Sequence, residues 1–272
     1  MPELPEVQAV VDNLKNNIIG EEIISITPLW DKTIKNFNPK KNFNKNSPNK
    51  IIDITRRAKF IILHFSDFIL AIHLRMTGKF YLSNNKIIPI HTRAVFDLTS
   101  SKQLIFEDIR KFGRIYLYKN LETINKAHGP EPLGKYFTPK WLIHNLKNKK
   151  RMIKSLLLDQ SFLAGLGNIY VDECLWDSGI HPISKSNKIP YNRMKNLHES
   201  IQTILKKAIE HKGTTIINFS YQQNKQTGNY ASKLNIFGKN KEPCPKCRKQ
   251  INKLKIAGRG TYICNYCQKI FR

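Results

Sequence analysis

From Glu6 to Asn17 the chain shows one period: Val7, Val10, Val11 and Leu14, followed by Ile18, return every three or four positions. That spacing predicts a single amphipathic helix close behind the chain start. Between about Glu22 and Tyr118 short apolar runs replace it: "EIISITPLW", "KIIDIT", "KFIILHF", "FILAIHLRM", "AVFDLT", "QLIFEDI" and "RIYLYK". Turn residues such as "SNN" and "TSSKQ" separate them, and several short strands at this spacing predict a β-sandwich or barrel. "KNFNPKKNFNKNSPNK" (35–50) reads as a polar loop. "HGPEPLGKYFTP" (128–139) is dense in Pro and Gly and reads as a connection between domains. Helical patterns then take over at about 139–147, 151–159, 168–177 and 190–211, with "DQSFLAGLGN" between the second and third. Residues 213–241 are polar and irregular, and 242–272 form a small module.

Composition narrows the class. A chain of 272 residues with 40% apolar positions can build two or three cores and is not disordered. No apolar run reaches membrane-spanning length, and no basic start leads into an apolar stretch, so a cytoplasmic protein with neither span nor signal peptide is expected. The formal net charge of +26 favours a polyanionic partner, most often nucleic acid. Lys outnumbers Arg 35 to 11 and Asn reaches 26, so AT-rich codon usage accounts for part of that excess and the Arg positions carry more information.

Four of the five cysteines lie in the last thirty residues as "CPKC" (244–247) and "CNYC" (264–267), 16 residues apart. Two such knuckles can supply Cys244, Cys247, Cys264 and Cys267 to one tetrahedral Zn²⁺. A segment this short buries little core, so the metal supplies its folding energy, and a closed thiolate set makes the zinc structural. Lys246, Arg248, Lys249, Lys253, Lys255, Arg259 and Lys269 surround it, as a nucleic-acid surface or a solvated one. Cys174, within "VDECLWDSGI", reads as an inert core thiol.

Other stretches admit two readings. "AGLGNIYVDE" (164–173) places Asn168 at a helix start, which can be a plain cap or an anion site; Lys150, Arg151 and Lys154, expected on the preceding helix, favour a phosphate. "RRAK" (56–59), "HLRMTG" (73–78) and "DIRKFGR" (108–114) bring a Met, an Arg and a Phe to turns, as ordinary core and surface or as a wedge that opens a duplex. "MPELPE" is either an ordinary helix start, with Pro and acids in the first turn, or a reactive terminus. With Met1 removed, Pro2 would present a weakly basic secondary amine able to attack an aldehyde carbon, with Glu3 and Glu6 near it for proton transfer.

Taken together and in order, "PELPEV", "RRAK", "HL-M-G", "D-R-FG", "GPEPL", "IKSLLLDQ", "GLGNIYVDE", "GTT" and the four-Cys module resemble the bacterial formamidopyrimidine-DNA glycosylase family over nearly the whole chain. The resemblance implies an α+β multidomain fold: an N-terminal catalytic β-sandwich (1–128), a helix–two-turn–helix DNA-binding domain (129–241) and a C-terminal four-Cys zinc finger (242–272). It implies a base-excision repair enzyme acting on double-stranded DNA that carries an oxidised purine (8-oxoguanine, formamidopyrimidine) or an abasic site. The abasic site would be cut by β,δ-elimination through a Schiff base. Pro2 is then the nucleophile, Glu3 the proton donor and acceptor, Lys59 the β-elimination lysine and Arg259 the δ-elimination arginine. His91, Arg110, Lys150 and Lys154 are implied DNA contacts, and Asn168 the phosphate-binding asparagine. Met76, Arg110 and Phe112 fill the gap left by the extruded nucleotide, while Glu6 and Glu173 support the site. The family also implies one structural Zn²⁺, no membrane partner, and a monomer in the bacterial cytoplasm at the nucleoid. Departures from its pattern are Gln8, Ile109, Lys111, the looser "HTRAVFD", Lys212 before "GTT", and "TGNYA" (227–231) in the loop covering the lesion base, which leaves base selectivity open.

Overall fold

The opening period folds as helix α1 (Leu4–Ile18), which starts two residues before the expected point. Pro5 stands in its first turn, where no N–H is needed for an intrahelical bond and a φ fixed near −65° is already helical. In the computed structural model, residues 1–44, 49–85, 87–214 and 228–272 are described. They form two compact units: Met1–Lys126 with His211–Ala231, and Ala127–Glu210 with Ser232–Arg272.

In the first unit α1 is followed by β1 (Glu22–Pro28), a one-turn helix α2 (Pro39–Asn42) capped by Asn38, and β2 (Asn49–Lys50). Next come β3 (Asp53–Arg57), β4 (Phe60–His64), β5 (Ile69–His73), β6 (Gly78–Ser83), β7 (Thr92–Leu98), β8 (Gln103–Asp108) and β9 (Arg114–Tyr118). These make a five-stranded sheet in the order β2-β1-β7-β8-β6 and a four-stranded sheet in the order β3-β4-β5-β9. Every pairing within both is antiparallel. Ile23, Phe80, Phe96 and Phe106 of the first sheet share one core with Ile54, Ile61, Leu63, Ile72 and Ile115 of the second. Two sheets facing across a common core are a sandwich, not a barrel. Val7, Val10 and Leu14 of α1 join that core. Burial of each such side chain contributes about 1.5–3 kcal/mol, and this holds the chain start against the sheets.

β6 is a strand of the first unit that the hydrophobic pattern did not predict. Phe80 enters the main core, while Tyr81 packs with Val95 and Ile105 in a separate cluster. With consecutive Phe80, Tyr81 and Leu82 apolar on both faces, the period-2 signal is lost.

After α3 (Glu122–Ala127), the second unit contains α4 (Pro139–Lys147), α5 (Ile153–Leu158), α6 (Asn168–Asp177) and α7 (Tyr191–Glu210). It ends in a hairpin of β10 (Asn252–Ile256) and β11 (Arg259–Ile263). Thr138 caps α4 by accepting the Trp141 N–H at 3.1 Å. Helices α4 and α6 pack on α7, α5 packs on α6, and β11 lies against α6. Among the described residues no helix is long and apolar enough to cross a membrane.

Candidate active site and metal centre

Pro2, Glu3 and Glu6 are buried although they stand at the chain start. Glu6 spends both oxygens on fixed donors: Oε2 accepts the Glu3 N–H at 2.8 Å, and Oε1 accepts the Thr214 N–H at 2.7 Å and its hydroxyl at 3.0 Å. Its carboxylate therefore orients the backbone under Glu3 and is not disposed to shuttle protons. Gly213 makes this approach feasible. Its φ is +77°, and a Cβ there would come within 2.7 Å of Glu6 Oε1.

Lys59 stands in the β3–β4 turn, is 5% exposed, and follows Ala58 at φ 53°. Arg56 ties that turn to α1 by donating from Nε to Gln8 Oε1 at 3.0 Å and from a guanidinium N–H to the Ala58 carbonyl at 2.9 Å. Gln8 thus anchors the β3–β4 turn to α1. Burial holds the pKa of the Met1 α-amine below the ordinary value for such an amine, and the charges of Glu3, Glu6, Lys59 and Arg110 also act on it. Pro2, Glu3 and Lys59 all belong to the first unit.

Met76, Arg110 and Phe112 are organised by Asp108, which stands within "D-R-FG" with no role read from the sequence and is 1% exposed. One of its oxygens accepts the Thr77 hydroxyl and the Arg110 N–H, the latter at 3.2 Å; the other accepts the Gly113 N–H at 2.7 Å. The turn bearing Met76 and the loop bearing Arg110 and Phe112 are therefore pinned to one carboxylate. Arg110 and Phe112 are exposed, with the guanidinium 4.7 Å from the ring centroid, so a cation and a flat apolar face are presented together. His91 sits beside this cluster, its carbonyl accepting the Asp108 N–H at 3.0 Å. "TGNYA" and "GTT" lie partly outside the described residues, which resume at Gly228. There the Asn229 and Tyr230 N–H groups donate to the carbonyls of His211 and Gly213.

In the second unit, Lys150 and Arg151 lie exposed ahead of α5, not on it. Arg151 pairs with Asp159 at 2.7 Å. Lys154 corrects an expectation. It is 0% exposed, and its ammonium donates to Asp172 Oδ1 at 2.6 Å and Thr261 Oγ1 at 2.7 Å, so it is a buried structural cation and not a DNA contact. Burial pushes the Asp172 carboxyl up to about 6, against the pull of Lys154 and of the Tyr262 N–H.

Asn168 opens α6; its Nδ2 donates to the Gly260 carbonyl at 2.9 Å, while its Oδ1 is buried with no hydrogen-bond partner among the described residues. Gln160 shapes the glycine loop ahead of it, accepting the Gly165 N–H and donating to the Leu166 carbonyl. Glu173 accepts the N–H groups of Asn235, Ile236 and Phe237 at 2.8–3.1 Å, fixing the strand of chain that leads into the Cys module. Arg259 is exposed at the first position of β11.

The sulfurs of Cys244, Cys247, Cys264 and Cys267 all lie within 4.8 Å of one another, with Cys244–Cys267 at 3.8 Å and Cys247–Cys264 at 3.4 Å. Tetrahedral zinc with Zn–S near 2.3 Å demands sulfurs about 3.8 Å apart, so the donor set fits one Zn²⁺. None of the four is in a disulfide. All four coordination positions come from protein, and the zinc is structural.

Known proteins match this chain along nearly its whole length. The N-terminal domain of formamidopyrimidine-DNA glycosylase matches residues 1–115, its H2TH domain 128–220, and the zinc finger found in FPG and IleRS 241–270. Formamidopyrimidine-DNA glycosylase of Protochlamydia amoebophila is 42% identical across 99% of this chain and all of its own. The Lactococcus lactis Fpg (MutM), crystallised with DNA containing N7-benzyl-Fapy-dG, superposes with a TM-score of 0.90 at 36% identity, covering 98% of this chain and all of that one. MutM in complex with DNA containing carbocyclic 8-oxo-G gives 0.89 at 37% over the same shares. With three successive domain matches and full-length relatives above 30% identity, the chain belongs to the formamidopyrimidine-DNA glycosylase family.

Proposed function

We propose that this chain excises oxidised purines from double-stranded DNA and cuts the strand at the resulting abasic site, using its own terminal amine as nucleophile. The observation that carries the reading is the buried start of the chain: Pro2 and Glu3 are buried, Glu6 accepts the Glu3 N–H, and the α-amine of Met1, one residue before Pro2, lies within the field of Lys59 and Arg110. Relatives solved on DNA bearing a Fapy-dG derivative and an 8-oxo-G analogue support the substrate class.

A stacked nucleotide hides C1′, so the lesion must leave the helix and its space must be filled. Met76 and Phe112 suit the gap, and Arg110 can donate to the orphaned cytosine. Once Met1 is removed, the Pro2 nitrogen attacks C1′, the C1′–base bond breaks and the base departs protonated. Glu3 protonates O4′, the ring opens, and an iminium joins Pro2 to C1′. The iminium acidifies C2′; loss of that proton expels the 3′ phosphate. A second proton loss, from C4′, expels the 5′ phosphate, and water releases the unsaturated aldehyde from Pro2. Lys59 is assigned to the first elimination and Arg259 to the second. His91, Lys150 and Asn168 are assigned to the DNA backbone. Acting on chromosomal DNA, the enzyme works as a monomer at the nucleoid.

Borohydride trapping on an 8-oxoguanine duplex tests this. The processed chain should give a covalent adduct that maps to Pro2. An uncleavable extension before Pro2 turns that nitrogen into an amide, so the extended chain should bind the same duplex yet neither trap nor cut it. Glu3→Gln should bind but not excise. Trapping that survives the extension and disappears in Lys59→Ala would move the nucleophile to Lys59.

A further inference from the structure

Lys154 and Asp172 form a pair that no solvent reaches, with both side chains 0% exposed. A buried ion pair stabilises no better than well-packed apolar residues of the same volume, so its presence asks for another reason. Its hydrogen bonds supply one, because one from each partner runs toward the same short stretch. Lys154 donates to Thr261 Oγ1, and the Thr261 hydroxyl donates in turn to the carbonyl of Arg259 at 3.1 Å. Asp172 Oδ2 accepts the N–H of Tyr262 at 3.0 Å. Asn168 donates to the carbonyl between them, that of Gly260. Four consecutive residues, 259 to 262, are thus each gripped from α5, α6 or by Thr261. The facing strand β10 is not gripped in this way: Lys253, Leu254 and Lys255 are exposed. The hairpin turn is equally constrained, since Ala257 and Gly258 both have positive φ (53° and 70°) between the paired Ile256 and Arg259, a two-residue turn of the type that matches strand twist.

We propose that the Lys154–Asp172–Thr261 network is a positioning device for Arg259, fixing the backbone from which this exposed guanidinium reaches the sugar-phosphate during the second elimination. The proposal rests on the role given to Arg259 above. All three side chains are fully buried, so they act through the peptide of Arg259. A cation at the end of a long side chain is useful only if its root does not move, and a displacement of about 1 Å can cost on the order of 100-fold in rate.

The test is single-turnover cleavage of a duplex with one abasic site, resolving the product of the first elimination from that of the second. Zinc content and borohydride trapping are measured on the same samples. Thr261→Val removes the hydroxyl that links Lys154 to Arg259; Thr261→Ser keeps it. Lys154→Met with Asp172→Asn removes both charges and retains an acceptor for the Tyr262 N–H. Thr261→Val and the double variant should hold their zinc and trap like the wild type, yet accumulate the first product, with the second step slowed about 10- to 100-fold. Thr261→Ser should restore it. An unchanged product ratio with zinc retained overturns the proposal. So does a parallel fall of trapping, both eliminations and zinc, which would make the network only the module's attachment. If the wild type makes no second cut, or Arg259→Ala does not slow it, the role assigned to Arg259 fails instead.

Discussion

Asp108 shows how much one buried carboxylate can set. Its two oxygens collect a hydroxyl and two backbone N–H groups from two separate turns, and those turns carry Met76, Arg110 and Phe112. Asp108→Asn keeps the size but turns one acceptor into a donor that faces other donors. Leaving buried partners unsatisfied costs about 1–3 kcal/mol. The variant should therefore unfold at lower denaturant concentration and should also lose preference for cytosine opposite the lesion, in the same direction as Arg110→Ala. Excision assays opposite cytosine and adenine check this. Discrimination equal to wild type in Asp108→Asn would show that the wedge loop keeps its shape without the carboxylate.

At the scale of elements, what was legible depended on whether local chemistry agreed with tertiary packing. Helices α4 and α6 fall on their expected residues because punctuation stands in the chain: Thr138 and Pro139 open one, Gly167 the other. β6 was invisible because both of its faces are apolar. Lys154 was misplaced for a related reason. In "RMIKSLLL" a lysine reads as the polar side of a helix, and only the distant Asp172 and Thr261 turn it inward. A Lys in one apolar helix and an Asp in another was the only signal, and sequence alone does not pair them. Asp108 and Thr214 stand in the motifs "D-R-FG" and "GTT" but had no role read from the sequence, because Asp108 joins two separate turns and Thr214 meets Glu6 from far along the chain. Backbone demands are a further such case. Gly20 and Gly213 both have positive φ (+89° and +77°), but a Cβ on Gly20 meets nothing within 4 Å, whereas on Gly213 it strikes Glu6. Gly20→Ala should cost about 1–2 kcal/mol for the left-handed backbone alone. Gly213→Ala should cost more and also slow Pro2 trapping, because Glu6 must move from beneath Glu3. Equal destabilisation with normal trapping would mean that Glu6 yields freely.

At the scale of the whole molecule, zinc and charge should both bear on DNA binding, the first by folding a module and the second by neutralising phosphates. Trp176 donates to Cys244 Sγ at 3.3 Å and packs with Ile236, Ile251 and Cys264, so the metal centre is built into the small core of its module. Cys247→Ser should lose zinc, change Trp176 fluorescence and leave residues 242–272 open to amide exchange, while α1 and the sandwich stay protected. Lesion-duplex binding should go with the metal. The net charge of +26 works through phosphates: binding strength should fall steeply with salt, as each neutralised phosphate releases a counterion. Only cations that reach solvent can contribute to that slope, and here Lys150 and Lys154 part company. Lys150 is exposed, so Lys150→Ala should reduce the log–log slope by about 0.9. Lys154 is sealed against Asp172, so replacing the pair by Lys154→Met with Asp172→Asn should leave the slope unchanged while altering what happens after binding. A slope that falls with Lys154 and not with Lys150 would mean that α5 turns its buried face to DNA, and the two lysines would exchange roles.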